Sequence, residues 1–250
     1  MKSVKSIGFI KYYRAGKRLL KNQIYHDARK KAELESLKEP KRGDIINYLL
    51  SKREGKTCYL EIGVRRPENN FNRIVADEKY SVDPGIEYKK NPVDFKMTSD
   101  EFFEALSGSK ILSSEIRFDV IFLDGLHLAD QVDKDIANAL KYIKDDGFIV
   151  LHDCNPPTEY HARENHYDIN TAAKSLWSGT TWKAFLKWRF NPSINSCCID
   201  TDWGIGVISK TQPIGKCTTQ ANPFFEFYDF TKNNHKYLNL MSFEDFQKLV

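Results

Sequence analysis

No stretch of this 250-residue sequence approaches the ~20 apolar residues that a membrane span requires. The N-terminal ten residues are basic, with too short an apolar core for a secretory signal, so an intracellular, cytoplasmic protein is expected. Cysteine is sparse. Cys58, Cys154, Cys197, Cys198 and Cys217 show no paired metal-ligand spacing, and they read as reduced thiols. Internal repeats, low-complexity tracts and nucleic-acid-binding motifs are absent, so no nucleic-acid partner is expected. Glycine is missing where a dinucleotide site would need it. The turn after the first β-rich run reads Gly63-Val64-Arg65-Arg66-Pro67, one glycine in place of the three of a G-x-G-x-x-G loop.

What is present suits a globular α/β protein. The hydrophobic fraction is 41% and the charged fraction 29%, and the length fits one well-buried domain with additions rather than two full ones. The net charge of +4 is unevenly spread, because lysines and arginines crowd residues 1–42. A basic arm can meet an acidic substrate, a phospholipid surface or nucleic acid, but the expected form is a solvated, partly helical extension. Peripheral membrane contact through this arm and homo-oligomerisation stay open.

Residues 11–36 have helical spacing, Pro40 and Gly43 break it, and Asp44 can cap a second helix through Leu50. From Thr57 the rhythm changes. Strands are expected at 57–62, 79–82, 94–97, 117–123 and 147–152, with helices near 99–107 and 130–143 and a turn at 144–147. Such alternation argues for a doubly wound, mostly parallel sheet. Residues 153–167, broken by Pro156-Pro157, form a long loop of the kind that often serves as a lid. A helix is expected at about 170–188, carrying Trp177, Trp182 and Trp188. Two apolar runs, 194–200 and 204–209, then form an antiparallel hairpin. The expected domain limits are a basic helical extension over 1–54, the α/β domain over 55–212, and a C-terminal extension over 213–250.

Function is sought where the strands end. The run Tyr59-Leu60-Glu61-Ile62-Gly63 closes on an acid and a glycine, and the next strand closes on Asp83, 20 residues after that glycine. A carboxylate so placed accepts hydrogen bonds from both hydroxyls of a ribose. Two further strands end at Asp124 and Asp153, so four carboxylates converge on one crevice. His127 and His152 are the candidate bases there, and His152, beside a strand-end aspartate, can instead face the opposite side or ligate a metal. Asp130, Asp133 and Asp135 fall in the first turns of a helix, where the dipole favours negative charge, and read as structural.

Taken in order, these segments resemble the class I S-adenosylmethionine-dependent methyltransferases over roughly residues 57–210. Within them, Phe118-Asp-Val-Ile-Phe-Leu-Asp-Gly-Leu-His127 and Gly147-Phe-Ile-Val-Leu-His-Asp153 resemble the sugar and small-molecule O-methyltransferase branch, which includes macrolide-sugar and catechol-type relatives. The resemblance implies a Rossmann-like sheet closed by an antiparallel hairpin. It implies S-adenosylmethionine as cofactor, with Glu61 and Gly63 lining its methionine part, Asp83 holding the ribose, and Ser99 and Asp100 beside the adenine. Asp124 would lie near the reactive methyl group. His127, His152 and Asp153 are the implied catalytic residues. Mg²⁺ or another divalent metal is an option, with Asp124, Asp153 and Asn155 as ligands. The implied acceptor is a hydroxyl of a sugar, glycan or small metabolite. The sequence departs from the family at Arg65 and Pro67, where the second and third glycines of E-x-G-x-G-x-G would stand.

Two other readings stay open at this point. One is a nicotinamide-dependent oxidoreductase or epimerase, against which the single glycine speaks. The other is a binding module that holds the cofactor without turnover.

Overall fold

A computed structural model of the chain describes residues 4–168 and 171–250. In chain order the elements are α1 (Val4–Leu20), α2 (Gln23–Leu37), α3 (Arg42–Ser51), β1 (Cys58–Ile62), β2 (Glu78–Val82), α4 (Ser99–Ser107), β3 (Phe118–Leu123), α5 (Ala129–Tyr142), β4 (Ile143–Leu151), α6 (Thr181–Trp188), β5 (Asn195–Ile199), β6 (Ile205–Ser209), α7 (Phe227–Tyr237), β7 (Leu240–Met241) and α8 (Phe243–Gln247). The strands form one seven-stranded sheet in the order β2-β1-β3-β4-β6-β5-β7. β6 alone runs antiparallel to its neighbours, β4 and β5. This is the expected α/β sheet, mostly parallel and closed by an antiparallel hairpin.

The middle strands are apolar on both faces, as strands sandwiched between helices must be. Leu60, Ile121 and Ile149 face one layer, which holds Phe102 of α4, Ile136 of α5 and Phe185 of α6. Tyr59, Val120, Phe122, Phe148 and Val150 face the other, where Ile45, Ile46 and Leu49 of α3 are fully buried. Each such aliphatic side chain contributes about 1.5–3 kcal/mol of transfer free energy, so α3 is built into the core. At the far edge β7 extends the sheet beside β5, and Phe246 of α8 is buried in the same layer as α3.

Several local expectations are corrected. The helix expected over 11–36 is two helices, separated at Lys21–Asn22, where the Asn22 side chain caps the Ile24 N–H. The helix expected from Asp44 is α3 and starts at Arg42, with Asp44 closing its capping box from the third position. The strand expected at 94–97 shrinks to one bridge, Val82 to Phe95. Two backbone bonds hold the bridge, Phe95 N–H to the Ser81 carbonyl and Asp83 N–H to the Phe95 carbonyl, and beside them Asp94 Oδ2 accepts from both the N–H and the hydroxyl of Ser81. Residues 144–147 are the start of β4 rather than a turn, and the pairing with β3 shifts register between Phe118 and Val120.

The helix expected over 170–188 begins only at Thr181, and residue 170 lies outside the described residues. Gly179, at φ +59°, and Lys174, at φ +53°, interrupt any helix before that point.

Candidate active site

Parallel pairing puts the C-terminal ends of β1, β3 and β4 at one sheet edge, beside the crossing point between β1 and β3 where α/β sheets bind ligands. The Asp124 N–H donates to the Ile62 carbonyl at 2.9 Å, locking the two ends together. Gly63 fits between them only because it lacks a side chain. At φ +94° a Cβ there would stand 2.2 Å from the Asp124 carbonyl oxygen. The end of β4 is bent differently. Asp153 adopts φ +61°, a left-handed conformation that aspartate tolerates better than most residues. That bend lets two consecutive residues, which an extended strand would point apart, reach the same place. His152 Nδ1 lies 2.9 Å from Asp153 Oδ2 and 3.3 Å from Asp124 Oδ1.

His127 completes the inner group. Its Nε2 is 3.2 Å from Asp124 Oδ1 and its Nδ1 is 3.4 Å from Asp153 Oδ2. Arg42, at the start of α3, reaches in from the other side. Its Nη1 donates to Asp124 Oδ2 at 2.7 Å, and its Nε is 3.1 Å from Asp202 Oδ2. Asp202 sits in the β5–β6 turn, with Oδ1 3.6 Å from His152 Nε2. The turn is pressed onto the bend after β4, because Gly204 and Trp203 carbonyls accept from the N–H groups of Cys154 and Asn155, each at 2.9 Å.

Charge decides the protonation of this cluster. Burial opposes ionisation of Asp124, but His152, Arg42 and His127 outweigh it and hold its carboxyl well below the usual range. Burial and then Arg42 oppose a proton on His152, yet Asp153 and Asp124 raise its pKa well above the ordinary value. For His127 burial again works against the charged ring, and Asp153 and Asp124 prevail. The His127 ring lies between two acceptors. Nδ1 also lies 3.1 Å from the Trp177 carbonyl, which can only accept. Nε2 faces Asp124 Oδ1 at 3.2 Å, a second group that only accepts, so the protonated ring satisfies both contacts, and Nε2 becomes an acceptor only once its proton is given up.

The segment after β4 wraps over this histidine. The Trp177 ring stacks on His127 with centroids 5.2 Å apart, and the Thr180 N–H donates to the His127 carbonyl at 2.7 Å. Arg163 clamps the segment from within, donating to the carbonyls of Tyr160, Lys174 and Leu176. His161 is fully buried and bonded to Thr158, and burial pushes its pKa down to about 4, so it is a neutral anchor. Of the other tryptophans, Trp182 is core and Trp188 donates to Asp133, which also pairs with Lys187.

The remaining predicted residues are spread along the same edge. Glu61 is buried, and its Oε2 accepts from the Tyr59 hydroxyl at 2.6 Å and from Asn70 at 2.9 Å. Burial pushes its pKa up to about 7. Asp83 directly follows β2 and accepts from the Gly85 N–H at 2.6 Å. Ser99 and Asp100, at the start of α4, both accept from Gln131 of α5. Asn155 stands apart from the cluster, since its Oδ1 accepts from Asn234 and its Nδ2 faces Asp200.

The donor set fits a phosphate-free, cationic cofactor better than a dinucleotide. Carboxylates dominate the strand ends, and the β1–β2 crossover holds two short 3₁₀ turns, Pro67–Asn69 and Phe71–Arg73, instead of a helix whose N-terminus could hold a pyrophosphate. The set also fits a divalent cation. Asp124, His152 and Asp153 each offer one donor atom within 4.8 Å of the others. The separations of 2.9 and 3.3 Å suit neighbouring ligands about 3 Å apart around a small hard ion with bonds of about 2.1 Å.

Two participants were not among the sequence candidates. Arg42 is one of many basic residues in the arm, so its charge carries no signal of its own. Asp202 falls between the two apolar runs 194–200 and 204–209, where the sequence pattern marks only a turn. The one available hint was its place in the hairpin turn at the same sheet edge.

Residues 37–154 match the model of a family described as a methyltransferase domain. No curated protein matches the chain in sequence. Among solved structures it is similar to an O-methyltransferase from Bacillus cereus in complex with S-adenosylhomocysteine, at 12% identity over 74% of this chain and 91% of that one, TM-score 0.45. It is also similar to the O-methyltransferase TomG from Streptomyces achromogenes, at 12% identity over 76% and 90%, TM-score 0.45. A protein from Corynebacterium glutamicum aligns at 15% identity over 82% and 97%, TM-score 0.45. The matched residues, described as a methyltransferase domain, carry β1 to β4 of the doubly wound sheet and the acidic strand ends of the site.

Proposed function

We propose that the enzyme methylates a hydroxyl group of a small molecule, in the manner of an O-methyltransferase, with a sugar as the acceptor class. The carrying observation is the position of His127. Its Nε2 stands 3.2 Å from Asp124 Oδ1, at the end of the strand beside the cofactor crevice, with Nδ1 turned to the Trp177 carbonyl. A hydroxyl held at that point meets both a ring nitrogen able to take its proton and a carboxylate able to orient it. A known structure similar in fold, MycE of the mycinamycin pathway, was solved with Mg, S-adenosylhomocysteine and mycinamycin VI, at 13% identity over 73% of this chain and 51% of that one, TM-score 0.43.

The cofactor supplies an already activated sulfonium methyl group, so the chain must align an oxygen behind it and remove one proton. Glu61, Gly63 and Asp83 would hold the cofactor, with Ser99 and Asp100 at its adenine end. Asp124, His152 and Asp153 would hold a divalent cation, which lowers the pKa of a bound hydroxyl. Asn155, engaged by Asn234, would support that group through the bend after β4. His127 takes the proton at Nε2 while the Trp177 carbonyl steadies Nδ1. Trp177 and Trp203 offer flat faces to an acceptor ring.

Calorimetric titration with S-adenosylhomocysteine, in Mg²⁺ and again in chelator, tests the reading. Micromolar binding is expected in both buffers. A sugar-hydroxyl acceptor screen should then give turnover that Mg²⁺ increases. Absence of binding in both buffers would remove the assignment of these residues.

A further inference from the structure

The catalytic reading leaves the 17-residue α1 unused. Every residue from Phe9 to Ile24 is exposed, although the segment is rich in large apolar side chains. Phe9 is 72% exposed, Tyr12 79%, Tyr13 62% and Leu20 68%. On a helix, Phe9, Tyr12, Tyr13, Leu19 and Leu20 fall at i, i+3, i+4, i+10 and i+11, which is a single stripe. Lys11, Arg14, Lys17, Arg18 and Lys21 fall on the opposite side at i, i+3, i+6, i+7 and i+10, with Ile10 among them. The first 26 residues hold seven lysines and arginines and no acid. A 17-residue helix with nothing among the described residues packed on its apolar side is only marginally stable in water, so its sequence is written for a surface that covers it.

We propose that α1 docks this enzyme on an anionic lipid surface, lying in the headgroup plane with Phe9, Tyr12, Tyr13, Leu19 and Leu20 inserted. Charge complementarity selects the occupant. A one-signed basic face beside an aromatic and leucine face is the arrangement of interfacial helices, in which lipid phosphates meet the cations and acyl chains meet the rings. Nucleic acid would use the cations and leave the apolar stripe in water. The helix lies on the surface and does not cross it, since no helix among the described residues is long and apolar enough to span a membrane.

The test is co-sedimentation of the full chain with vesicles of phosphatidylcholine alone and of phosphatidylcholine mixed with phosphatidylglycerol. Binding to the anionic vesicles, several-fold above that to the neutral ones and weakened by salt, is expected. The double variants Phe9→Ser/Leu20→Ser and Lys17→Gln/Arg18→Gln should each lose most of it, with thermal unfolding unchanged because these side chains touch no core. Equal binding to neutral vesicles, no binding to either, or full binding by Phe9→Ser/Leu20→Ser would overturn the proposal. So would lipid-free self-association that Phe9→Ser/Leu20→Ser abolishes, which would give the stripe to a second copy of the chain.

Discussion

Arg42 Nη1 donates to Asp124 Oδ2 at 2.7 Å, joining residues 82 positions apart at the centre of the acidic cluster. The same guanidinium meets Asp202, so one side chain ties the start of α3 to the end of β3 and to the β5–β6 turn. Replacing it with methionine keeps the stem and removes the charge, leaving two inward-facing carboxylates short of a counter-ion. Breaking such a pair costs about 3 kcal/mol. Thermal unfolding of Arg42→Met should show that loss at neutral pH. Added Mn²⁺ should restore more of it than the same ion adds to the wild type, because a cation at Asp124, His152 and Asp153 replaces the missing charge. Equal shifts in both proteins would argue against a metal at those residues.

His127 sets the second expectation. As a base it works only when Nε2 is free, and Asp153 and Asp124 raise its pKa above the ordinary 6.5. The rate should therefore rise with pH, with an acid limb centred above 6.5. His127→Gln should lower kcat by about a hundred- to ten-thousand-fold and leave S-adenosylhomocysteine affinity intact. In Asp153→Asn the limb should move to lower pH, since one of the charges that favour the protonated ring is gone. An unshifted limb in Asp153→Asn would separate that carboxylate from the titrating group.

The elements legible in the sequence were those whose burial writes a local pattern. β1, β3 and β4 are short apolar runs with an acid at or just beyond the end, and parallel pairing alone brings those ends together. What escaped depends on contacts far apart in the chain. Arg42 and Asp202 acquire their roles only through α3 and the hairpin turn. The inward turn of His152 rests on the left-handed bend at Asp153, which no periodicity reveals. The overextended helix at 170–188 failed for a similar reason: the apolar spacing is helical, but Gly179 is committed to its contact with His127.

Glu61 makes stability depend on pH. The folded carboxyl has a pKa of about 7 against an ordinary 4.5, chiefly through burial. As pH rises from 4.5, the unfolded chain gives up this proton while the folded chain keeps it, so stability falls until about pH 7 and the penalty is then constant. At about 1.4 kcal/mol per pKa unit the full effect is on the order of 3 kcal/mol. Glu61→Gln cannot ionise, and its carbonyl can still accept from Tyr59 and Asn70. Urea unfolding should find the variant close to wild type at pH 4.5 and more stable by up to that amount at pH 8. A gain of the same size at both pH values would mean that ionisation is not the cause.

Gly179 couples stability to the placement of His127. At φ +59° an added Cβ would stand 2.1 Å from the His127 carbonyl oxygen and 2.7 Å from its Cβ, both of them beyond any real contact. Gly179→Ala must therefore push the Trp177–Thr180 segment away from His127, in a backbone conformation that alanine adopts only with strain. The overpacking and strain together cost about 3 kcal/mol. The hydrogen bond from the Thr180 N–H to the His127 carbonyl and the Nδ1 contact with Trp177 would be lost in the same movement. Methyl transfer should fall along with thermal stability, while S-adenosylhomocysteine binding, proposed above for Glu61, Gly63 and Asp83, should be preserved. Gly16→Ala is the control, because a Cβ on that exposed helical glycine meets nothing within 4 Å. It should leave both unfolding and turnover unchanged, and a Gly179→Ala protein that matched it would show that the lid segment does not hold His127 in place.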